Sequence, residues 1–138
     1  MAIYKISDIK SIDEENAAKL IELGIPTVSS LLEAGKTRDG RKELAAKMGD
    51  LVSPKIVLGW VNRADLFRIK GVSGQYSDFL EQAGIDTVKE LAQRNAANLH
   101  AKLAEVNAAQ GLVKRMPLAK EVESWVAQAK ELPRGIEY

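Results

Sequence analysis

The chain has 138 residues and a formal net charge of +1, with 46% hydrophobic and 28% charged residues. That is enough apolar material for a packed core, with no global positive field to draw the chain onto a polyanion. Cysteine is absent and histidine occurs once, which excludes disulfides, thiolate catalysis, cysteine-based zinc sites and paired-histidine metal motifs. No apolar run is long enough to span a membrane, and MAIYKISDIK lacks the apolar stretch of a secretory signal, so a cytoplasmic protein without a membrane association is expected.

In chain order, Ala17, Leu20 and Ile21 recur at helical spacing, and Gly24 is placed to end their helix at a left-handed C′ position. Thr27 then serves as an N-cap for the next helix. A further helix is predicted over about 39–48, stopped by Gly49. Ser53-Pro54 reads as an N-cap followed by proline at the first helical position, opening a helix with Ile56, Val57, Trp60, Val61 and Ala64 on it. The stretch Val61–Ile69 is apolar and lacks Gly, Pro or Ser clusters, so a continuous helix or a tight bend is expected rather than a flexible linker. Tyr76, Phe79, Leu80 and Ala83 form the next helical stripe, ended by Gly84, and Thr87 with Glu90 reads as a capping box. A helix from Asn98 to Asn107 follows. Met116-Pro117 is predicted to open the last helix, with Leu118, Val122, Trp125, Val126 and Ala129 on one face. Residues 133–138 read as a loose tail. No window alternates convincingly for a strand, so the expected class is all-α.

The chain also resembles itself. Shifted by 60, residues 6–32 lie on 66–92 with identities at Ile9/Ile69, Lys10/Lys70, Leu20/Leu80, Gly24/Gly84, Ile25/Ile85, Thr27/Thr87, Val28/Val88 and Leu31/Leu91. Chance would supply roughly two of these eight, and the matched residues are mostly apolar or glycine, as a shared supersecondary unit requires. Trp60-Val61 matches Trp125-Val126 with the offset grown to 65, as a loop insertion in the second half would produce. Two pseudo-repeats, about 1–64 and 65–132, are therefore expected to pack as one compact domain of residues 1–138.

Residues 66–88, LFRIKGVSGQYSDFLEQAGIDTV, resemble a helix-hairpin-helix motif. Leu66, Ile69, Val72, Leu80, Gly84 and Ile85 fall where that pattern places them, and Gly71 matches the first hairpin glycine. Residues 6–28 resemble a degenerate copy. With segments such as ELAAKMG, WVNRADLFRIKG, DTVKELAQRN and NLHAKLAEVN, nearly the whole chain is similar to a bacterial family of tandem helix-hairpin-helix proteins that is a domain of unknown function, with related SAM-like folds. The resemblance implies sequence-independent contact with a nucleic-acid backbone. Free backbone N–H groups and the helix dipole at the hairpin would face a phosphate, and glycine would let it approach.

The two hairpins depart from the motif differently. Ser73 and Asp13 stand where the second glycine belongs, and Ser11 replaces the first glycine in the first copy. Asp13, followed by Glu14 and Glu15, puts negative charge where a phosphate would sit, so the first hairpin is read as self-capped and structural. The second keeps Gly71 and Gly74, with Arg68 and Lys70 just before it, although Ser73 would compete as an N-cap. The candidate nucleic-acid contacts are therefore Arg68, Lys70, Gly71, Val72, Ser73, Gly74 and Gln75. The alternative reading is a protein–protein adaptor or self-associating domain with no nucleic-acid role.

Other signals read as structural. Glu43 to Trp60 has some features of a helix-turn-helix, but the connection Gly49–Ser53 is longer than the usual turn. Arg38, Arg41, Lys42 and Lys47 cluster, as do Lys114, Arg115 and Lys120, yet Asp39, Glu43, Glu121 and Glu123 dilute both groups, as on solvated helix faces. Trp60 and Trp125 sit on apolar faces and read as core anchors. His100 has no partner group for acid–base work, and no nucleotide-binding glycine motif occurs, so no enzyme, metal or cofactor is expected.

Overall fold

In a computed structural model, residues 3–138 are described, and among them the chain forms eight α-helices after a 3-10 turn at Ile6–Asp8. The helices are α1 Glu14–Glu22, α2 Val28–Gly35, α3 Arg38–Met48, α4 Pro54–Leu66, α5 Gly74–Gln82, α6 Val88–Ala92, α7 Ala96–Gln110 and α8 Ala119–Glu131. The class is all-α. The only extended pairing among the described residues is an isolated antiparallel bridge between Lys5 and Thr27. None of the described helices is long and apolar enough to cross a membrane.

The chain divides into two compact units. One runs to Asp65 and takes in Gly135–Tyr138; the other is Leu66–Arg134. In the first, Ile6, Ile9, Leu20, Leu31, Val57 and Val61 are buried to within 1%. In the second, Leu66, Ile69, Val72, Phe79, Leu80, Ile85, Leu91, Leu99, Leu103 and Trp125 belong to one apolar cluster. Both predicted tryptophan anchors are buried, Trp60 at 4% and Trp125 at 2% exposure.

The predicted glycine stops are real. Gly24 and Gly84 have φ of 85° and 91°. Each lies at C′ of a Schellman closure. Gly24 and Ile25 donate to the carbonyls of Ile21 and Leu20, and Gly84 and Ile85 donate to those of Glu81 and Leu80. Ser53 Oγ accepts from the Ile56 N–H at 3.2 Å, so proline at position 54 starts α4 as predicted.

Four local expectations are corrected. First, Glu90 does not complete the capping box at Thr87: its carboxylate accepts from the Thr87 hydroxyl at 3.4 Å, while Thr27 and Ser30 form the reciprocal pair at the start of α2. Second, the helix predicted over Asn98–Asn107 is longer, Ala96–Gln110, because Asn95 caps it by accepting from the Asn98 N–H. Third, Met116-Pro117 precedes rather than begins the last helix, and α8 starts at Ala119. The Leu118 N–H there is taken by the Glu121 carboxylate at 3.0 Å. Fourth, the chain end is not loose. Ile136 is 2% exposed, the Glu137 N–H donates to the Lys36 carbonyl, and the Arg41 guanidinium donates to the carbonyls of Gly35 and Glu137.

The offset between the two Trp-Val pairs grows where α7, at 15 residues, exceeds α3, at 11, and where the loop before α8 exceeds the loop before α4. That longer loop is anchored. Asn107 both accepts from the Val113 N–H and donates to its carbonyl, and His100 Nε2 donates to the Pro117 carbonyl at 3.0 Å.

Candidate nucleic-acid interface

The segments leading into α1 and α5, read from the sequence as hairpins, make corresponding backbone bonds sixty residues apart. Ile9 and Ile12 N–H groups donate to the carbonyls of Ile6 and Ile9, and Ile69 and Val72 donate to those of Leu66 and Ile69, all at 3.1 Å. Ala17 donates to Asp13, and Ser77 donates to Ser73. Buried Ile9, Ile12 and Leu20 in one segment correspond to Ile69, Val72 and Leu80 in the other. The alternation of core and surface along each hairpin follows from these turns.

Where a phosphate would sit, the segments differ. Asp13 accepts from the Asn16 N–H at 2.8 Å and so caps α1 with its own carboxylate, as its sequence suggested. Ser73 makes no side-chain capping bond at the start of α5, against the expectation that its hydroxyl would compete for those N–H groups. Its ψ of −159° lies on the other side of 180° from those of the capping residues, and the nearby hydroxyl bond is made by Ser77 Oγ to the Gly74 carbonyl at 2.9 Å. The first turn of α5 therefore keeps donors that Ser73 does not take, at the positive end of the helix dipole.

The seven candidate residues do not form one uniform surface. Gly71 is exposed and has φ 95°, a conformation suited to glycine, and a Cβ there would stand 3.0 Å from Trp125 Nε1. Val72 is fully buried, so its side chain belongs to the core and not to any surface contact. Gly74 is buried, Ser73 half-buried and Gln75 exposed, with Gln75 Nε2 donating to the Leu112 carbonyl at 3.3 Å. Arg68 is committed in part: its guanidinium donates to the Pro133 carbonyl. Lys70 is exposed and makes no ion pair among the described residues, while its backbone N–H and carbonyl are both held by the Gln128 amide. Arg68 and Lys70 line a groove of about 400 Å³ with Ala127, Gln128, Glu131 and Leu132, so one carboxylate shares their field.

Beside the hairpin, the Tyr76 ring packs on Trp125 at a centroid distance of 5.4 Å, and its hydroxyl donates to the Arg115 carbonyl. Tyr76 is therefore a packing residue with a fixed hydroxyl rather than a free stacking platform. Arg115 in turn pairs with Glu121 at 2.7 Å. The Leu118 N–H, and then the Arg115 guanidinium, hold the Glu121 carboxyl below its ordinary value. Arg38, Arg41, Lys42 and Lys47 cluster along the sequence, and the fold brings Lys55, exposed on the helix from Pro54, to the first three around one groove.

These features define an all-helical protein with glycine-stopped helices and two differently capped turns, one before α1 and one before α5. The chain belongs to the family described as Domain of unknown function (DUF4332), which matches residues 10–132. No solved structure matches it.

Proposed function

We propose that this protein is a cytoplasmic, non-enzymatic helical module of bacterial origin, made of two pseudo-repeated helix-hairpin-helix units of SAM-like type. In this reading it makes weak, sequence-independent contact with a nucleic-acid backbone through the second hairpin. The observation that carries the reading is the contrast between the hairpins: Asp13 fills the anion position of the first, while Ser73 leaves the start of α5 uncapped. Exposed Gly71 and the unpaired Lys70 stand next to that helix start. A phosphate there would gain backbone N–H donors, the helix dipole and one lysine, a combination that binds anions without reading bases.

The test is fluorescence anisotropy of a labelled duplex at about 50 and 200 mM salt, between which phosphate contacts normally weaken strongly. Lys70→Glu is expected to abolish binding and Asp13→Gly to leave it unchanged. Ser73→Gly is expected to leave it unchanged or strengthen it, since no capping bond is lost. Absence of binding at the lower salt, or full binding by Lys70→Glu, would refute the hairpin reading. The second reading, a protein adaptor, is favoured by Leu51 and Ile56, exposed at 93% and 43% around the start of α4. Capture of a protein partner from nuclease-treated lysate, lost in Leu51→Ser with Ile56→Ser, would support it.

A further inference from the structure

A second cluster of positive charge lies in the other unit. Arg38, Arg41 and Lys42 occupy positions i, i+3 and i+4 of α3 and so share one face. Lys55 and Leu58, one turn apart on α4, face the same groove, together with Pro54 and Tyr138. The groove has a volume of about 410 Å³; no Asp or Glu is among its lining residues, and the negative charge that acts on Arg41 comes from Tyr138 and Glu137. Arg38, Lys42 and Lys55 are exposed and make no ion pair among the described residues. Asp39 and Glu43, which dilute this cluster in the sequence, are not among the lining residues; helical geometry carries them to other faces of α3.

The groove is also held in shape. Arg41 is 5% exposed, with its guanidinium fixed on the carbonyls of Gly35 and Glu137. Burial lowers the Arg41 guanidinium from its ordinary value; Tyr138 opposes this, Arg38 adds to it, and Glu137 opposes it. Tyr138 donates to Asn62 Oδ1 at 3.3 Å and remains half exposed, so its ring forms a positioned wall.

We propose that this groove binds a run of phosphates, as carried by a nucleotide or by a single nucleic-acid strand. Three free cations and one anchored arginine around a space of this size match several negative charges held close together. Lysine ammonium groups suit phosphate oxygens as mobile point charges, and arginine adds a rigid fork. Tyr138, Leu58 and Pro54 supply an apolar wall for a flat organic portion, the usual division of labour in a ligand site. This site is distinct from the second hairpin and does not depend on that reading.

The experiment titrates the whole protein with inorganic tripolyphosphate, ATP and a labelled twelve-residue thymidine strand, with a hexaglutamate peptide as a carboxylate control. Binding of the phosphate probes and weaker binding of the peptide are expected. The strand should lose about twenty-fold in affinity between about 50 and 200 mM salt, the dependence three phosphate contacts produce on single strands. Lys42→Glu with Lys55→Glu, both on exposed positions, should weaken every phosphate probe at least ten-fold, while Lys70→Glu should leave tripolyphosphate binding unchanged. Preference for the strand over tripolyphosphate would assign the site to a nucleic-acid backbone, and the reverse to a free polyphosphate or nucleotide; either order upholds the proposal. Undiminished binding by the double variant, equal affinity for hexaglutamate, or no binding of any phosphate probe would overturn it. Duplex binding lost only in Lys70→Glu would sustain the hairpin reading whatever the groove does.

Discussion

Replacing Trp125 by alanine tests the packing of the Leu66–Arg134 unit at its most demanding point. The ring is 2% exposed, stacks obliquely on Tyr76 at 5.4 Å and 51°, and approaches the hairpin backbone at Gly71. Truncating a buried tryptophan costs about 3–5 kcal/mol, through lost transfer energy and the cavity left behind. About 0.5–1.5 kcal/mol of that is specific to the aromatic pair. A unit of 69 residues has a total stability of only about 3–10 kcal/mol at the usual stability per residue. Trp125→Ala should therefore remove a large share of it. Trp125→Phe, which keeps a ring against Tyr76, should cost clearly less. The assay is urea unfolding followed by far-UV circular dichroism, with Trp60 fluorescence reporting separately on the unit that contains it. A double-mutant cycle of Trp125→Leu with Tyr76→Leu should return the pair energy as a coupling term. A loss below about 1.5 kcal/mol for Trp125→Ala, outside the range for buried aromatic truncation, would refute the argument that this ring anchors the unit. So would a cycle with no coupling.

Two further outcomes follow from single residues. In Gly35→Ala the new Cβ would land on Val61 Cγ2, a buried β-branched side chain with little freedom to move. A net cost of about 1–3 kcal/mol is expected, relieved in a Val61→Ala background. In Gly84→Ala, by contrast, the Cβ meets open space, so only the positive-φ strain of about 1–2 kcal/mol should appear, with no dependence on neighbours. Calorimetric or urea-derived stabilities of the single and paired variants decide both. The Glu121 carboxyl, held below its ordinary value chiefly by the Leu118 N–H, should contribute stability above its unfolded value that disappears as pH falls through its lower folded value. Melting temperature scanned over roughly pH 3–6, the range in which glutamates titrate, should lose part of its acid dependence in Glu121→Gln. An unchanged profile would show that the bond to Leu118 is not stabilising.

Much of the helix plan was legible in the residues. Gly24 and Gly84 follow apolar stripes at helical spacing, and a left-handed stop is a local property that glycine adopts without a Cβ penalty. Ser53-Pro54 began α4 as read, because a proline at the first helical position loses no intrahelical bond. The α3 boundaries came within one residue, and Asp13 capped α1 as its side chain and position implied. All of these depend on neighbours within four or five residues, and period and capping chemistry report such neighbours directly.

Tertiary structure decided whatever joins distant parts of the chain. Ser73 has a capping residue's chemistry, yet its hydroxyl makes no capping bond at the start of α5, which its residue type does not announce. Tyr76 reads from the sequence as part of an apolar stripe, and only the loop before α8 supplies the Arg115 carbonyl that fixes its hydroxyl. Residues 133–138 carry loop chemistry, but Ile136 finds a buried site and Arg41, 96 residues before Glu137, holds that residue's carbonyl. Charge was the least legible of all. Along α3 the acids Asp39 and Glu43 lie among four bases and dilute them, but a helix sorts neighbours in sequence onto different faces. Only folding brings Lys55 to Arg38 and Lys42 and leaves the acids outside, so the local field at that groove differs from the near-neutral sum read along the chain.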